Sequence, residues 1–207
     1  LALLERGRSV RVVDAGRVGG GSSHGNCGTL TPSHAGPLHA PGMVARALRW
    51  MLTPDAPFYV RPRFDPALWQ RMLRFASRCN PRDWRSSARG RAAILNASRE
   101  AFPQWIAAHG LDCEFGEGGC DCVFRDPVEM EAYVRQLPAL AELGIASEVI
   151  DGRDYQAQEP ALLDGVAGAV RYPGDAYLRP DRSVAELARA ARERGGLLEV
   201  TRGRRRI

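Results

Sequence analysis

The 207-residue sequence predicts an α/β fold, a sheet interrupted by helices and by a smaller mixed-sheet region. Three observations predict it. A β-branched run, Val10-Arg11-Val12-Val13, ends in the carboxylate of Asp14 and leads into a loop of small residues over 19–32. Helical periodicity then dominates from Asp65 to Gly110. Beyond Gly110, short strand-like and helix-like runs alternate as far as Leu197-Leu198-Glu199-Val200.

Taken in order, Leu1-Ala2-Leu3-Leu4-Glu5-Arg6-Gly7 reads as the last turns of an apolar helix closed by glycine, with no N-cap ahead of it. No Gly-x-Gly-x-x-Gly precedes Leu1, and the strand starting at Leu197 and running into Thr201 is soon followed by Arg204-Arg205-Arg206-Ile207. Both ends therefore read as cut, and an internal piece of a larger protein is expected. After the strand and loop comes a linker punctuated by Pro54, Pro57, Pro62 and Pro66. Asp65-Pro66 supplies an N-cap and a first helical position, and Leu68, Trp69, Met72, Leu73 and Phe75 share one face of a helix running toward Cys79. A second helix over 84–109 carries Ala92, Leu95, Phe102, Trp105 and Ile106; Pro103 is expected to bend or restart it, and Gly110 to close it. Cys113-Glu114-Phe115 and Cys120-Asp121-Cys122-Val123-Phe124 are predicted to form a hairpin across Gly116-Glu117-Gly118-Gly119. Asp126-Pro127 opens a helix predicted to run unbroken to Gly144. Strands are predicted over 147–150 and 166–172, and a last helix carries Val184, Leu187, Ala188 and Ala191.

Composition narrows the classes. Hydrophobic residues make up 44% and charged residues 26%, ordinary for a globular protein, and no apolar run approaches membrane-spanning length. The net charge of +5 is carried by arginines scattered among acids, which reads as a solvated surface, so no nucleic-acid partner is expected. The five cysteines contain no CxxC pair. Cys120 and Cys122 would share one side of a strand, but the spacing matches no zinc knuckle; no metal is expected, and the cysteines read as small buried hydrophobes in a reducing compartment.

The chemistry lies in the first strand and its loop. An acid at the carboxyl edge of a strand can accept hydrogen bonds from both hydroxyls of an adenosine ribose. The glycines and serines after it let the backbone approach a pyrophosphate or an aromatic ring. Each residue has a plainer reading: Asp14 as a turn residue, and Ser22, Ser23 and Asn26 as turn formers. Their order, Asp14, glycine loop, then Ser-x-x-Asn-x-Gly, favours the cofactor.

These motifs carry a resemblance. The run Ser22-Ser23-His24-Gly25-Asn26-Cys27-Gly28-Thr29-Leu30-Thr31-Pro32 resembles the FAD-dependent amine and amino-acid oxidoreductases of the D-amino-acid oxidase type. Ala40-Pro41-Gly42, Ala47-Leu48-Arg49-Trp50-Met51-Leu52 and Pro54-Asp55-Ala56-Pro57 resemble the D-amino-acid dehydrogenase branch within them. Glu159-Pro160-Ala161-Leu162 and Pro173-Gly174-Asp175 are similar to segments found across the superfamily.

The resemblance implies a Rossmann-type FAD-binding domain in parts: 1–42 its first portion, 43–110 a proline-rich linker and helices, 111–170 part of a substrate domain, and 171–207 a return to the FAD-binding domain. It implies that Asp14 holds the ribose, where many relatives carry glutamate. Ser22 and Ser23 would contact the pyrophosphate or ribityl chain. Asn26, Cys27, Gly28 and Thr29 would line the flavin ring, with backbone N–H groups near its N1/C2=O edge. The implied reaction is oxidation of a D-amino acid to a 2-oxo acid and ammonia, with electrons passing to a quinone or other acceptor. The family's arginine and tyrosine clamp for the substrate carboxylate would lie beyond Ile207, so no catalytic residue is assigned. His34 and His39 are not taken as bases, because positioning of a neutral amine matters more than a strong base when a hydride leaves; Tyr177 and Trp50 read as packing. A cytoplasmic location, peripheral on the inner membrane, is implied by the resemblance alone. Lacking a phosphate-binding helix N-terminus, the piece is expected to bind FAD poorly. The rival readings are oxidation of glycine, sarcosine or a hydroxyproline isomer, and a non-catalytic remnant that keeps the fold.

Overall fold

The computed structural model describes residues 1–52, 59–61 and 63–200. Pro54, Asp55, Ala56, Pro57 and Pro62 of the linker, and the end from Thr201 through Arg204-Arg205-Arg206-Ile207, lie outside the described residues. The first helix, α1 (Ala2–Glu5), is followed by Gly7 at φ 69° and leads into strand β1 (Arg11–Asp14). A loop of turns carries the chain to β2 (Thr29–Leu30), a 3-10 turn at Pro32–Ala35 and helix α2 (Met43–Met51). Helix α3 (Pro66–Arg78) starts where the sequence predicts, with the Asp65 carboxylate accepting the Leu68 N–H at 2.9 Å.

Helix α4 (Pro81–His109) begins three residues before the predicted start, because the Asn80 side chain accepts the Asp83 N–H at 3.0 Å and Pro81 takes the first helical position. It also runs through Pro103 instead of restarting there. The helix is fixed at both ends, by the Asn80 cap and by Gly110 at φ 57°, and continues despite the N–H that Pro103 lacks.

The predicted hairpin after Gly110 does not form. Strand β3 (Cys120–Phe124) is present, but Glu114 sits at φ 51°, which a strand cannot accommodate. The preceding segment pairs elsewhere: Gly116 exchanges hydrogen bonds of 2.9 and 3.0 Å with Tyr177, and the Cys113 carbonyl accepts the Arg179 N–H. The single helix predicted to reach Gly144 is two, α5 (Pro127–Val134) and α6 (Leu137–Ala141). Pro138 has no N–H to offer Val134 and fits only near the start of a new helix. Then follow β4 (Glu148–Asp151), α7 (Gly152–Gln158), β5 (Gly168–Tyr172), β6 (Ala176–Tyr177), α8 (Pro180–Glu193) and β7 (Leu197–Val200).

Among the described residues the strands form three small sheets. β1 and β7 pair in parallel, Arg11 opposite Leu197 through Asp14 opposite Val200. β2 and β6 are antiparallel. β5 lies between β3 and β4 in an antiparallel sheet. The alternation along β5 sends Val170 and Tyr172, both essentially inaccessible, into a core with Leu137, Leu140, Ile145, Ala35 and Ala92. Each large apolar side chain buried there contributes on the order of 1.5–3 kcal/mol. On the opposite face Arg171 reaches Asp121 at 2.9 Å, and the Tyr155 hydroxyl donates to the same carboxylate at 3.0 Å. Helices α2 and α3 bury no residue: Leu48, Trp69 and Leu73 are exposed on them, and Leu52 is exposed just after α2.

Candidate cofactor site

Asp14 ends β1 at its carboxyl edge, and one carboxylate oxygen accepts the Gly16 N–H at 3.0 Å, which turns the chain out of the sheet. Asp14 lines a cavity of about 370 Å³ together with Val12, Leu198 and Val200 of the parallel pair, Val184 and Leu187 of α8, and Trp105 of α4. From there the loop proceeds by tight turns, Gly20 N–H to Arg17 carbonyl and His24 N–H to Gly21 carbonyl. Ser22 is exposed and Ser23 half-buried on this arc.

The ring-facing candidates lie further on. Asn26 Oδ1 accepts the Gly28 N–H at 2.8 Å, so the Gly28 donor is already used and other amides of the segment would have to serve any acceptor outside. Gly28 is buried at φ 72°, and a Cβ there would overlap the Leu178 carbonyl oxygen and lie 2.9 Å from Pro180 Cδ. Packing against residues 178–180 therefore demands glycine at this position. The Leu178 N–H donates to the Gly28 carbonyl at 2.9 Å, and Thr29 and Leu30 pair with Tyr177 and Ala176. Cys27 is exposed, contrary to its reading as a buried hydrophobe; its thiol lies 3.6 Å from the Thr29 hydroxyl, a contact that holds it below the ordinary thiol range. Cys113 is buried, and desolvation pushes its thiol up, as it does for Cys120. Among the described residues, no group of three His, Cys, Asp or Glu side chains is placed to hold a metal.

Other side chains sort by contact. The His34 carbonyl accepts from Arg91 at 2.9 Å, and His39 is half-buried. The Tyr177 ring covers Gly116, a packing role. Sequence reasoning missed one residue pair at this site. Ser33, three positions after β2, donates from its N–H and its hydroxyl to Asp175, at 3.1 and 2.6 Å, and both residues are buried. Burial pushes the Asp175 carboxyl up while the Ser33 bonds pull it back. The turn Pro173-Gly174-Asp175 was visible in the sequence, but no local pattern links it to a serine so far upstream.

A parallel strand ending in a carboxylate, continued by a small-residue loop whose far end is clamped by a second strand pair, defines an α/β protein of the nucleotide-cofactor class. The residues present fit an adenine dinucleotide in kind: an acid at a strand end beside an apolar cavity, followed by a loop of small residues. The chain belongs to the DAO family of FAD dependent oxidoreductases, whose family model matches residues 1–202. Its cofactor class is thus FAD. It is 31% identical over 177 residues to a D-amino acid dehydrogenase of Cereibacter sphaeroides, covering 84% of this chain and 41% of that protein. A D-amino acid dehydrogenase of Granulibacter bethesdensis is 30% identical over 198 residues, covering 93% and 47%. The chain thus spans less than half the length of these curated relatives. Among solved structures, glycine oxidase from Bacillus cereus shares the fold with a TM-score of 0.62 at 19% identity, over 96% of this chain and 41% of that one. L-Amino acid deaminase from Proteus myxofaciens does so with a TM-score of 0.58 at 13% identity, over 96% and 34%.

Proposed function

We propose that this chain forms part of an enzyme that oxidises the Cα–N bond of D-amino acids, with Asp14, Ser22, Ser23, Asn26, Cys27, Gly28 and Thr29 on the FAD side of its site. The observation that carries the reading is the placement of Asp14 and the clamped 26–30 segment at the two ends of one small-residue loop, in a chain whose relatives are named D-amino acid dehydrogenase. The pairing of β1 with β7 supports the division in which 1–42 and 171–207 build one domain, with 43–110 and 111–170 between them.

In this reading Asp14 accepts the hydroxyls of the adenosine ribose, and the hydroxyls of Ser22 and Ser23 contact the pyrophosphate or ribityl chain. Asn26 fixes the turn by taking the Gly28 N–H, leaving the amides of its neighbours for the ring edge. Bound FAD supplies the acceptor for the two electrons and the hydrogen leaving the substrate. The imino acid so formed hydrolyses to a 2-oxo acid and ammonia, and the electrons pass on to a quinone or other acceptor.

A peripheral membrane association belongs to the same proposal. It is supported by α2 and α3, which carry Arg46, Arg49, Arg71, Arg74 and Arg78, no acid, and exposed apolar side chains at Leu48 (58% exposed) and Leu73 (70%). No described helix is long and apolar enough to cross a membrane.

The test is to express the complete reading frame that contains this chain and assay dye reduction with D-alanine, L-alanine, glycine and sarcosine. Flavin-dependent reduction with D-alanine, several-fold above the others, is the expected result. Preference for glycine or sarcosine would replace the substrate and keep the flavin chemistry; a colourless protein that turns over none of them would refute the enzyme reading.

A further inference from the structure

Segment 174–179 is the place where distant parts of the chain meet. The Gly174 carbonyl accepts Arg99 Nε of α4 at 3.0 Å, Tyr177 bridges Gly116, Leu178 bonds Gly28, and Arg179 bonds Cys113. Within that hub Asp175, 1% exposed, holds both hydrogen-bond donors of Ser33, 142 positions away in sequence. Burying a carboxylate is costly, and hydrogen bonds to an ionised acceptor are the strong ones, so this pair fixes geometry more firmly than a surface contact of the same length.

Its location gives the pair a use. Strand β2 is only two residues long, and a two-residue ladder defines register weakly. The Leu178 bond holds the segment at Gly28, on the near side of β2, and the Asp175 bonds hold it at Ser33, on the far side. Between these two grips lie residues 29–32, Thr29 and Leu30 among them, and Asn26 and Cys27 lie just before the Gly28 grip.

We propose that Asp175 is a positioning residue for the cofactor loop: by gripping Ser33 it fixes the register of residues 26–30 and so the direction in which Asn26, Cys27 and Thr29 face the flavin. The proposal rests on the reading of residues 26–29 as cofactor-facing. Asp175 acts through Ser33 and touches no reacting atom. Burial pushes the Asp175 carboxyl up, and the two Ser33 bonds work against that shift.

The experiment uses the complete reading frame and the variants D175A, D175N and S33A. Amide hydrogen exchange by mass spectrometry is measured on the apoprotein, with β5 as internal reference, and FAD affinity is measured separately by fluorescence quenching. For D175A and S33A, exchange over 26–35 is expected to rise by about tenfold or more while β5 keeps its protection, the effect of losing one or two charged hydrogen bonds. FAD affinity should fall by about tenfold. D175N, which keeps an acceptor for the Ser33 N–H, should fall between these and the parent; together with S33A it carries the test if D175A does not fold. Unchanged exchange over 26–35, or an equal rise there and in β5, would overturn the anchor. Faster exchange over 26–35 with unaltered FAD affinity would overturn the proposal through its premise, leaving Asp175 as an anchor of a loop that does not face the cofactor.

Discussion

Replacing Gly28 by alanine should damage this protein more than replacing Gly25, although both glycines have nearly the same backbone conformation. Gly25 lies at φ 73° with nothing within 4 Å of an added Cβ, so G25A meets only the cost of an L-residue in the left-handed region, about 1–2 kcal/mol. Gly28 lies at φ 72°, and its Cβ would overlap a backbone carbonyl oxygen, that of Leu178, which cannot swing aside as a side chain would. Relief requires the Gly28–Leu178 hydrogen bond to open, roughly a further 1 kcal/mol, and disturbs the two-residue pairing of β2 with β6. The total for G28A is about 2–4 kcal/mol, which for a chain of this size lowers Tm by roughly 5–15 °C, against about half that for G25A. Thermal unfolding followed by far-ultraviolet circular dichroism, with and without FAD, measures both. Equal losses for the two variants would refute the packing of this loop on residues 178–180.

Two further outcomes are expected. Cys27 is the exposed thiol held below its ordinary range by Thr29, whereas burial raises Cys79, Cys113 and Cys120, so as pH rises toward the thiol range Cys27 should gain thiolate first and be alkylated faster than those three. Peptide mapping after brief iodoacetamide treatment checks this; T29V should shift the onset of labelling to higher pH, and saturating FAD should protect Cys27 if the loop faces the ring. If α2 and α3 rest on a membrane surface, the full-length protein should co-sediment with vesicles containing phosphatidylglycerol and lose at least about tenfold in binding in the double variant L48E/L73E, with added salt weakening the parent; unaltered sedimentation would remove these helices from the interface.

What could be read from the sequence depended on how local the cause was. Asp65-Pro66 announces the start of α3 because a cap and its helix are neighbours, and Val10 to Asp14 reads as a strand because alternation and the terminal acid lie in one short run. The hairpin failed for the opposite reason. The partner of the 113–116 segment is Tyr177, and the turn at Glu114 that releases it from β3 has no strong local signature. Pro138 is a local signal, but the apolar spacing around it reads as one continuous helix. At the candidate site, Asp14 and the 22–29 loop were legible because they are contiguous. The Ser33–Asp175 pair was not, because a buried carboxylate and its donor become neighbours only when β2 and β6 meet.

The parallel pairing of β1 with β7 also sets the order in which the molecule can assemble. Residues 11–14 are made before their partner at 197–200, which follows only after the whole intervening chain, roughly 10–40 s later at ~5–20 residues per second. The antiparallel unit of β3, β4 and β5 closes over much shorter loops and can form during that wait. Throughout it the β7 side of Val12 and Val13 stays unpaired, the kind of edge that recruits chaperones or neighbouring chains. The β1–β7 contact thus becomes available only after that unit can form, and the yield of folded protein should depend on what shields this strand until β7 arrives.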